Sequence, residues 1–499
     1  MSASKLVRID KCQVGGNRMK KGPLLNNNSR KFTTRDSLGI ESVAASISRD
    51  LCPIVNTVTP RAFYWAFMVW IYYDFHKYSG IEEHTVNVFD KTYLKRQDYF
   101  FVLSQLLTES SDQGNLVGKQ NSQDDIKKNP DGPYVFNPEY FVSRYGGMQY
   151  YNAGCLTMNY IRDFDVENNK RYPFPKLTPE GKKMALDFQN CIKDTEYYKH
   201  YRLKDIPVPR DVLIEYGKTI NIGLNGFENC KASLRKHLFE NHMLKCSADY
   251  VKFIFEHYDM SDADLSTYRD ILFDAFSVRG RNETILPELR EVANGWEIVV
   301  GRQYFTSGLE TIWKYMLEQI KLPLTKQEWI KYSIDSTDWE INIDDSVFTL
   351  LQECNYDFKT RETMISDASH YVNPSKMVEN GLKIILSMYN RFANRDDFGD
   401  ESALLTKGNE TSSISFEELI NTVQKYKDKS IRDFIVFVMD NWLIEQHRRT
   451  AFEKLMQGRD GFYFEEIDGS YSYKSSFEID FQGIRLYQLS QVMKDLNML

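Results

Sequence analysis

Four residues of zinc-binding type, Cys230, His237, His242 and Cys246, fall within seventeen positions. A structural zinc site must aim all four at one point. On one continuous helix, at about 100° per residue, Cys230 and His237 share a face while His242 and Cys246 lie roughly 120–160° round from it. The spacing therefore argues for core thiols and surface histidines, and no metal is assigned. Five carboxylates, Asp335, Asp338, Glu340, Asp344 and Asp345, form the densest acidic cluster. They are the residue type that would hold a divalent ion for phosphodiester cleavage. Carboxylates so close repel one another unless a cation neutralises them, and no Asp followed by a strand-borne Glu-x-Lys accompanies them. The cluster reads as a solvated loop, and a metal-dependent nuclease working through Asp338 and Glu340 is the alternative function. Gly15-Gly16-Asn17-Arg18-Met19-Lys20-Lys21-Gly22 is glycine-rich and basic, but its spacing is not that of a phosphate-cradling P-loop. No catalytic residue and no cofactor is assigned.

Binding chemistry is clearer. The first 35 residues carry nine basic side chains, among them Lys11, Arg18, Lys20, Lys21, Arg30, Lys31 and Arg35, against the single acid Asp10, a net charge of +8. The whole chain is −7, so the other 464 residues hold 54 basic and 69 acidic groups, net −15. A short cationic arm on an acidic body seeks phosphates or an acidic partner surface. The seven named residues are the expected nucleic-acid or partner contacts. A solubilising tail is the other reading. Gly15-Gly16 and Asn26-Asn27-Asn28 interrupt the amphipathic helix that a mitochondrial presequence requires.

The elements that must position such an arm belong to a chain of 499 residues, 42% apolar and 14% aromatic, enough for several packed cores. Seven cysteines, dispersed and without a Cys-x-x-Cys pair, fit reduced thiols in the cytoplasm. The longest apolar stretch, residues 62–73, is twelve residues long, short of the roughly 20 needed to span a bilayer. No membrane contact is expected.

The periodicity predicts a mainly α protein with small β-hairpins: a multidomain helical protein with two winged-helix-like units. Its expected spans are the arm (1–35), a helical N-terminal domain (36–108), a linker with the first winged-helix-like unit (109–207), a helical bundle (208–322), an acidic loop with a helical region (323–414) and a C-terminal helix-hairpin-helix unit (415–499). Thr59 with Pro60 reads as the start of a nearly all-apolar helix. Residues 109–133 read as linker, 138–151 as helix, 155–162 as strand and 163–175 as a polar turn. Thr178-Pro179-Glu180-Gly181 opens a helix to about Ile192. Tyr250, Phe253, Ile254 and His257 are expected in the core, as are Leu272, Phe273 and Phe276, and a long stripe from Trp296 to Met316. After the acid-rich loop, residues 347–392 read as helical. In the last unit Ser415 or its neighbour caps one helix, Ser430 precedes a long one, and Asp468-Gly469 turns a hairpin. A final helix is expected to bury Leu486, Leu489 and Leu496 against the helix holding Phe437 and Trp442.

Three passages together resemble a family: Leu38-Gly39-Ile40-Glu41 leading to Thr57-Val58-Thr59-Pro60-Arg61-Ala62-Phe63-Tyr64, residues 145–151 with Leu177-Thr178-Pro179-Glu180-Gly181, and the ending from Arg485-Leu486 to Lys494-Asp495-Leu496. The chain resembles uncharacterised bacterial proteins encoded in antiphage defence islands beside ATPase or nuclease genes. The resemblance implies a non-enzymatic subunit of a defence complex, binding DNA or an ATPase or nuclease partner, or alternatively a sensor of invader proteins. It implies no catalytic residues.

Overall fold

A computed structural model of the chain describes residues 36–78, 93–108, 116, 118–137, 150–165, 167–261, 263–277, 285–394, 403–409, 413–479 and 483–499. The chain is mainly helical, with one two-stranded and one three-stranded antiparallel sheet. The N-terminal part contains α1 (Glu41–Leu51), α2 (Phe63–Tyr78), α3 (Leu94–Leu107), α4 (Lys119–Lys128) and α5 (Asn152–Thr157). The hairpin β1 (Ile161–Asp165) and β2 (Lys170–Leu177) leads into α6 (Pro179–Ile192). Helices α7 (Arg210–Thr219), α8 (Glu228–Leu238), α9 (His242–His257) and α10 (Leu265–Asp270) follow.

The organising element is α11 (Arg290–Gln319), thirty residues and therefore about 45 Å long, buried along nearly its whole circumference. Next come β3 (Leu324–Thr325), α12 (Lys326–Asp335), α13 (Val347–Glu353), α14 (Phe358–Ser369), α15 (Met377–Phe392) and α16 (Ala403–Thr406). The last part comprises α17 (Phe416–Tyr426), α18 (Ile431–Phe437), a π-helical continuation Val438–Glu445, α19 (Gln446–Met456), the hairpin β4 (Phe464–Ile467) and β5 (Ser470–Tyr473), and α20 (Arg485–Asp495).

A helix with no polar face must be surrounded, and α11 is packed by α1, α12, α14 and α15. At its crossing with α15 the backbones touch: a Cβ on Gly381 would sit 2.6 Å from the Gly308 carbonyl. Several charged groups entering this core are paired, with Arg391 Nε 2.6 Å from Glu297, and Glu362 accepting from Tyr304 Oη at 2.8 Å and Arg269 Nε at 2.9 Å.

Several expected boundaries stand. Thr178 Oγ1 accepts the Gly181 N–H at 3.0 Å and caps α6; Ser415 Oγ caps α17 through the Glu418 N–H at 3.0 Å; Ser430 Oγ caps α18 through the Asp433 N–H at 3.1 Å. Asp468 and Gly469 both take left-handed φ, +52° and +75°, as a two-residue hairpin turn demands.

Other expectations are corrected. Helix α2 starts at Phe63, because Thr59 Oγ1 is used to accept the Asn56 N–H at 2.9 Å in the preceding turn. The linker region contains α4. Residues 155–157 are helical rather than extended; the strand expected over 155–162 is kept only at 161–162, and β1 (161–165) and β2 (170–177) occupy most of the span where a polar turn is expected. The acid-rich segment begins with β3 and the capped helix α12. His257 is exposed. Of the helix expected over 138–151, residues 138–149 lie outside the described residues.

The C-terminal helix α20 does bury Leu486, Leu489, Val492, Met493 and Leu496, but it does so against α9 rather than against the helix of Phe437 and Trp442. Lys494 lies over the Phe255 ring at 5.4 Å, and Tyr487 meets Tyr268 edge to face at 5.4 Å. The hairpin instead packs on α11 and α12 through Trp313 and Trp329. Its sheet is completed by β3, in the order β3-β5-β4. Contacts thus cross several of the spans drawn from sequence, and the buried side chains form one continuous cluster. A chain ending at Gly469 loses β5 and α20 and uncovers the apolar face of α9. It is expected to aggregate or to lose its cooperative melt. Size-exclusion chromatography and thermal unfolding check this, and a soluble product melting at an unchanged temperature would show the terminal unit to be dispensable.

Candidate functional site

The seven arm residues Lys11, Arg18, Lys20, Lys21, Arg30, Lys31 and Arg35 lie outside the described residues. What is fixed is where the arm joins the body. Asp36 accepts the Ile40 N–H at 2.8 Å and the Ser42 N–H at 3.2 Å, holding the start of α1. The next residues are strapped to α19: Gln446 Nε2 donates to the Leu38 carbonyl at 2.8 Å, His447 Nδ1 to the Ser37 carbonyl at 2.9 Å, and Lys454 to the Asp36 carbonyl. His447 Nε2 accepts the Tyr463 N–H at 3.1 Å, so both ring nitrogens are used by a neutral imidazole.

Burial pushes His447 down to about 4 from an ordinary 6.5. The unfolded chain binds this proton below pH 6.5 while the folded chain does not, so the contribution is present above pH 6.5 and is lost as pH falls towards 4. The loss amounts to about 3 kcal/mol. Urea midpoints measured from pH 7 to pH 4 should fall, and His447→Gln, less stable at pH 7, should show a flatter decline.

Arg61 with Ala62, Tyr151 and Asp495, residues drawn from the three passages, meet in space. Asp495 Oδ2 accepts Arg61 Nε at 3.0 Å and the Ala62 N–H at 2.9 Å, while Oδ1 accepts Arg61 Nη2 at 2.8 Å. The Arg61 N–H donates to Tyr151 Oη at 3.2 Å. Beside this cluster Arg485 Nη1 donates to the Val55 carbonyl at 2.9 Å and Gln488 Nε2 to the Thr57 carbonyl at 3.2 Å. Arg61 and Asp495 are 4% and 7% exposed. The Arg61 guanidinium finds acceptors inside the chain, and the cluster is structural.

A surface cleft of about 610 Å3 lies between α6 and α8. The local fold builds it closely: a Cβ on Gly181 would lie 1.9 Å from the Tyr160 carbonyl, which lets α6 sit directly on the strand root. Tyr160 Oη then meets Ser233 Oγ at 3.0 Å, and its ring meets His237 edge to face at 5.0 Å. Lys183, Asp187, Asn229 and Lys236 complete much of the lining, with Glu180 at one end. Donors and acceptors are mixed, as suits a polar ligand. Ser233 spends its hydrogen bond on Tyr160 and not on His237, so the pair is not a nucleophile with its base. No spacing in the sequence pointed to this cleft; the Pro179-Glu180-Gly181 helix start is the nearest signal.

The candidates for metal chemistry do not assemble. Lys376 Nζ lies 3.3 Å from Asp338 and 3.2 Å from Glu340, Arg432 Nε lies 3.0 Å from Asp344, and Asn342 donates to Asp345 at 2.9 Å. Asp338 and Glu340 thus share Lys376, while Asp344 and Asp345 are held elsewhere by Arg432 and the neutral Asn342. Cys230 is buried against the Met184 carbonyl, while Cys246 and His242 sit together on the separate helix α9. Among the described residues no group of three or more His, Cys, Asp or Glu is placed to share an ion. Two buried ionisable side chains had no sequence signal. Neither oxygen of Asp98 is hydrogen-bonded, and burial holds it well above the usual carboxylate range. Arg302, on α11, is pushed down to about 9 by burial.

Comparison with protein-family models, curated proteins and solved structures finds no match to this chain. Among the described residues no helix is long and apolar enough to cross a membrane.

Proposed function

We propose that this chain is a non-enzymatic subunit of a bacterial antiphage defence complex that binds DNA through its basic arm and docks an ATPase or nuclease partner. One observation carries the binding half: +8 on 35 residues against −15 on the remaining 464, with the junction tied down by Gln446, His447 and Lys454. A short cationic segment joined at such a root can capture a polyanion without coating the body with cations. Residues 161–245 add a second basic region, with sixteen Lys and Arg against twelve Asp and Glu.

The winged-helix reading of the last unit is supported by a hairpin that directly follows α19 and a third strand, β3, that leads into α12. The defence setting and the partner rest on the three-passage resemblance. The test is anisotropy of labelled DNA with the purified full chain across a salt series. Affinity should fall linearly on logarithmic axes, with a slope of about −0.9 per neutralised phosphate. No binding at low salt would remove the DNA half, and failure to co-purify with the products of neighbouring genes would remove the partner half.

A further inference from the structure

We propose that the cleft between α6 and α8 binds a small phosphate ester of a sugar, either a free sugar phosphate or the ribose phosphate of a nucleotide, and that it does so independently of the arm. Its walls are fixed before any ligand arrives. Phe188 of α6 meets Phe227, the residue before α8, with ring centroids 4.8 Å apart; Cys191 Sγ donates to the Gly226 carbonyl at 3.5 Å, and Cys230 Sγ lies 4.0 Å from the Met184 carbonyl. Tyr160 adds a further tie through Ser233 Oγ and the His237 ring. The two helices are thereby clamped along their buried sides. What they leave open is about 610 Å3, within the roughly 300–1,000 Å3 of small-molecule sites.

The lining decides what fits. Lys183 and Asp187 stand four residues apart on α6, and Asn229, Ser233 and Lys236 recur at spacings of four and three on α8, so each wall turns one polar helix face to the cleft. Neither Lys183 nor Lys236 has a carboxylate partner among the described residues. Two such ammonium groups, one on each wall, form an anion site, and a phosphate has oxygens enough to accept from both. His237 Nδ1 stands 3.5 Å from Glu240 while its ring rests edge to face on Tyr160. Its Nε2 is left without a partner among the described residues.

The rest of the ligand must donate as well as accept. The Asp187 carboxylate only accepts, and the Asn229 amide does both; hydroxyl groups beside the phosphate satisfy the two together. No Phe, Tyr or Trp side chain lines the cleft among the described residues, so a base finds no ring to stack on, and the recognised part is the sugar with its phosphate. A phosphorylated peptide is the rival occupant. The lining offers it neither a sheet edge nor an apolar groove to hold its chain.

Isothermal titration calorimetry of the full chain with ribose 5-phosphate, adenosine monophosphate, unphosphorylated ribose, inorganic phosphate and a phosphoserine peptide tests this. Ribose 5-phosphate should bind and ribose should not. Lys183→Ala and Lys236→Ala, both at exposed positions, should each weaken ribose 5-phosphate roughly 10- to 100-fold, with thermal unfolding of the free protein unchanged. Asp187→Asn should weaken ribose 5-phosphate and leave inorganic phosphate bound as tightly or more so, which separates a sugar contact from a bare anion site. Adenosine monophosphate bound as tightly as ribose 5-phosphate would make the source a nucleotide, and weaker binding would make it a free sugar phosphate. Three results would each overturn the inference: no binding of either phosphate ester, binding of the phosphopeptide alone, or wild-type affinity for ribose 5-phosphate in the Lys183→Ala, Lys236→Ala double variant, which would place the anion elsewhere on the chain.

Discussion

Asp495→Ala is expected to destabilise the fold by about 3–5 kcal/mol, the range found when one member of a buried ion pair is removed. The carboxylate receives three donors, two from the Arg61 side chain and one from the Ala62 N–H. Without it a guanidinium that is 4% exposed loses its Asp495 carboxylate, and the start of α2 loses the acceptor of the Ala62 N–H. Asp495→Asn keeps the shape and part of the hydrogen bonding and should cost less. Replacing both residues by leucine should be milder than either single truncation, since no orphan charge remains. Urea unfolding followed by circular dichroism measures this: the midpoint should move with an unchanged slope. An unshifted midpoint for Asp495→Ala would show that the pair contributes nothing.

Deleting residues 1–35 is expected to abolish salt-sensitive binding to DNA or to an acidic partner. The deletion removes +8 and leaves a body of −15, which repels polyanions at long range. With several phosphate contacts in play, the loss at low salt should reach about three orders of magnitude or more. Fold stability should change little as long as Asp36 still holds the start of α1. Charge reversal at Lys20, Lys21, Arg30 and Lys31 is the finer version, because it keeps length and changes sign. Equal affinity of intact and truncated chains at low salt would place the binding surface on the body, with the α6–α8 cleft the first place to look.

Local signals were legible and partners were not. Thr178, Ser415 and Ser430 cap helices because a short side chain with an oxygen precedes an apolar period, and Asp468-Gly469 turns because both φ angles must be positive. These choices are made within four residues. The apolar stripe of α20 was likewise plain, yet periodicity says which face is buried and not against what, so its seat on α9 had to be seen. Residues 152–157 show tertiary contact overriding pattern. Gly154 lies so close to Trp65 that a Cβ would stand 2.3 Å from Nε1, and Cys155 donates to the Trp65 carbonyl. Both fix a helix where the letters alternate. The start of α2 failed for a related reason: its cap is supplied by Asp495, 433 positions away from Ala62. The cleft was invisible because Tyr160, just before β1, is 73 positions from Ser233 on α8.

That distant cap has a consequence for how the protein is made. Arg61 and its partner are 434 positions apart, and translation proceeds at about 5–20 residues per second. The aromatic helix α2 therefore leaves the ribosome with its first turn unsatisfied and waits roughly 20–90 s for the last helix to emerge. Throughout synthesis a sixteen-residue segment crowded with Phe, Tyr and Trp lacks its final clamp. Nascent chains stalled before Asp495 should be strong clients of ribosome-associated chaperones, and release should follow the emergence of Asp495 rather than completion of any earlier unit.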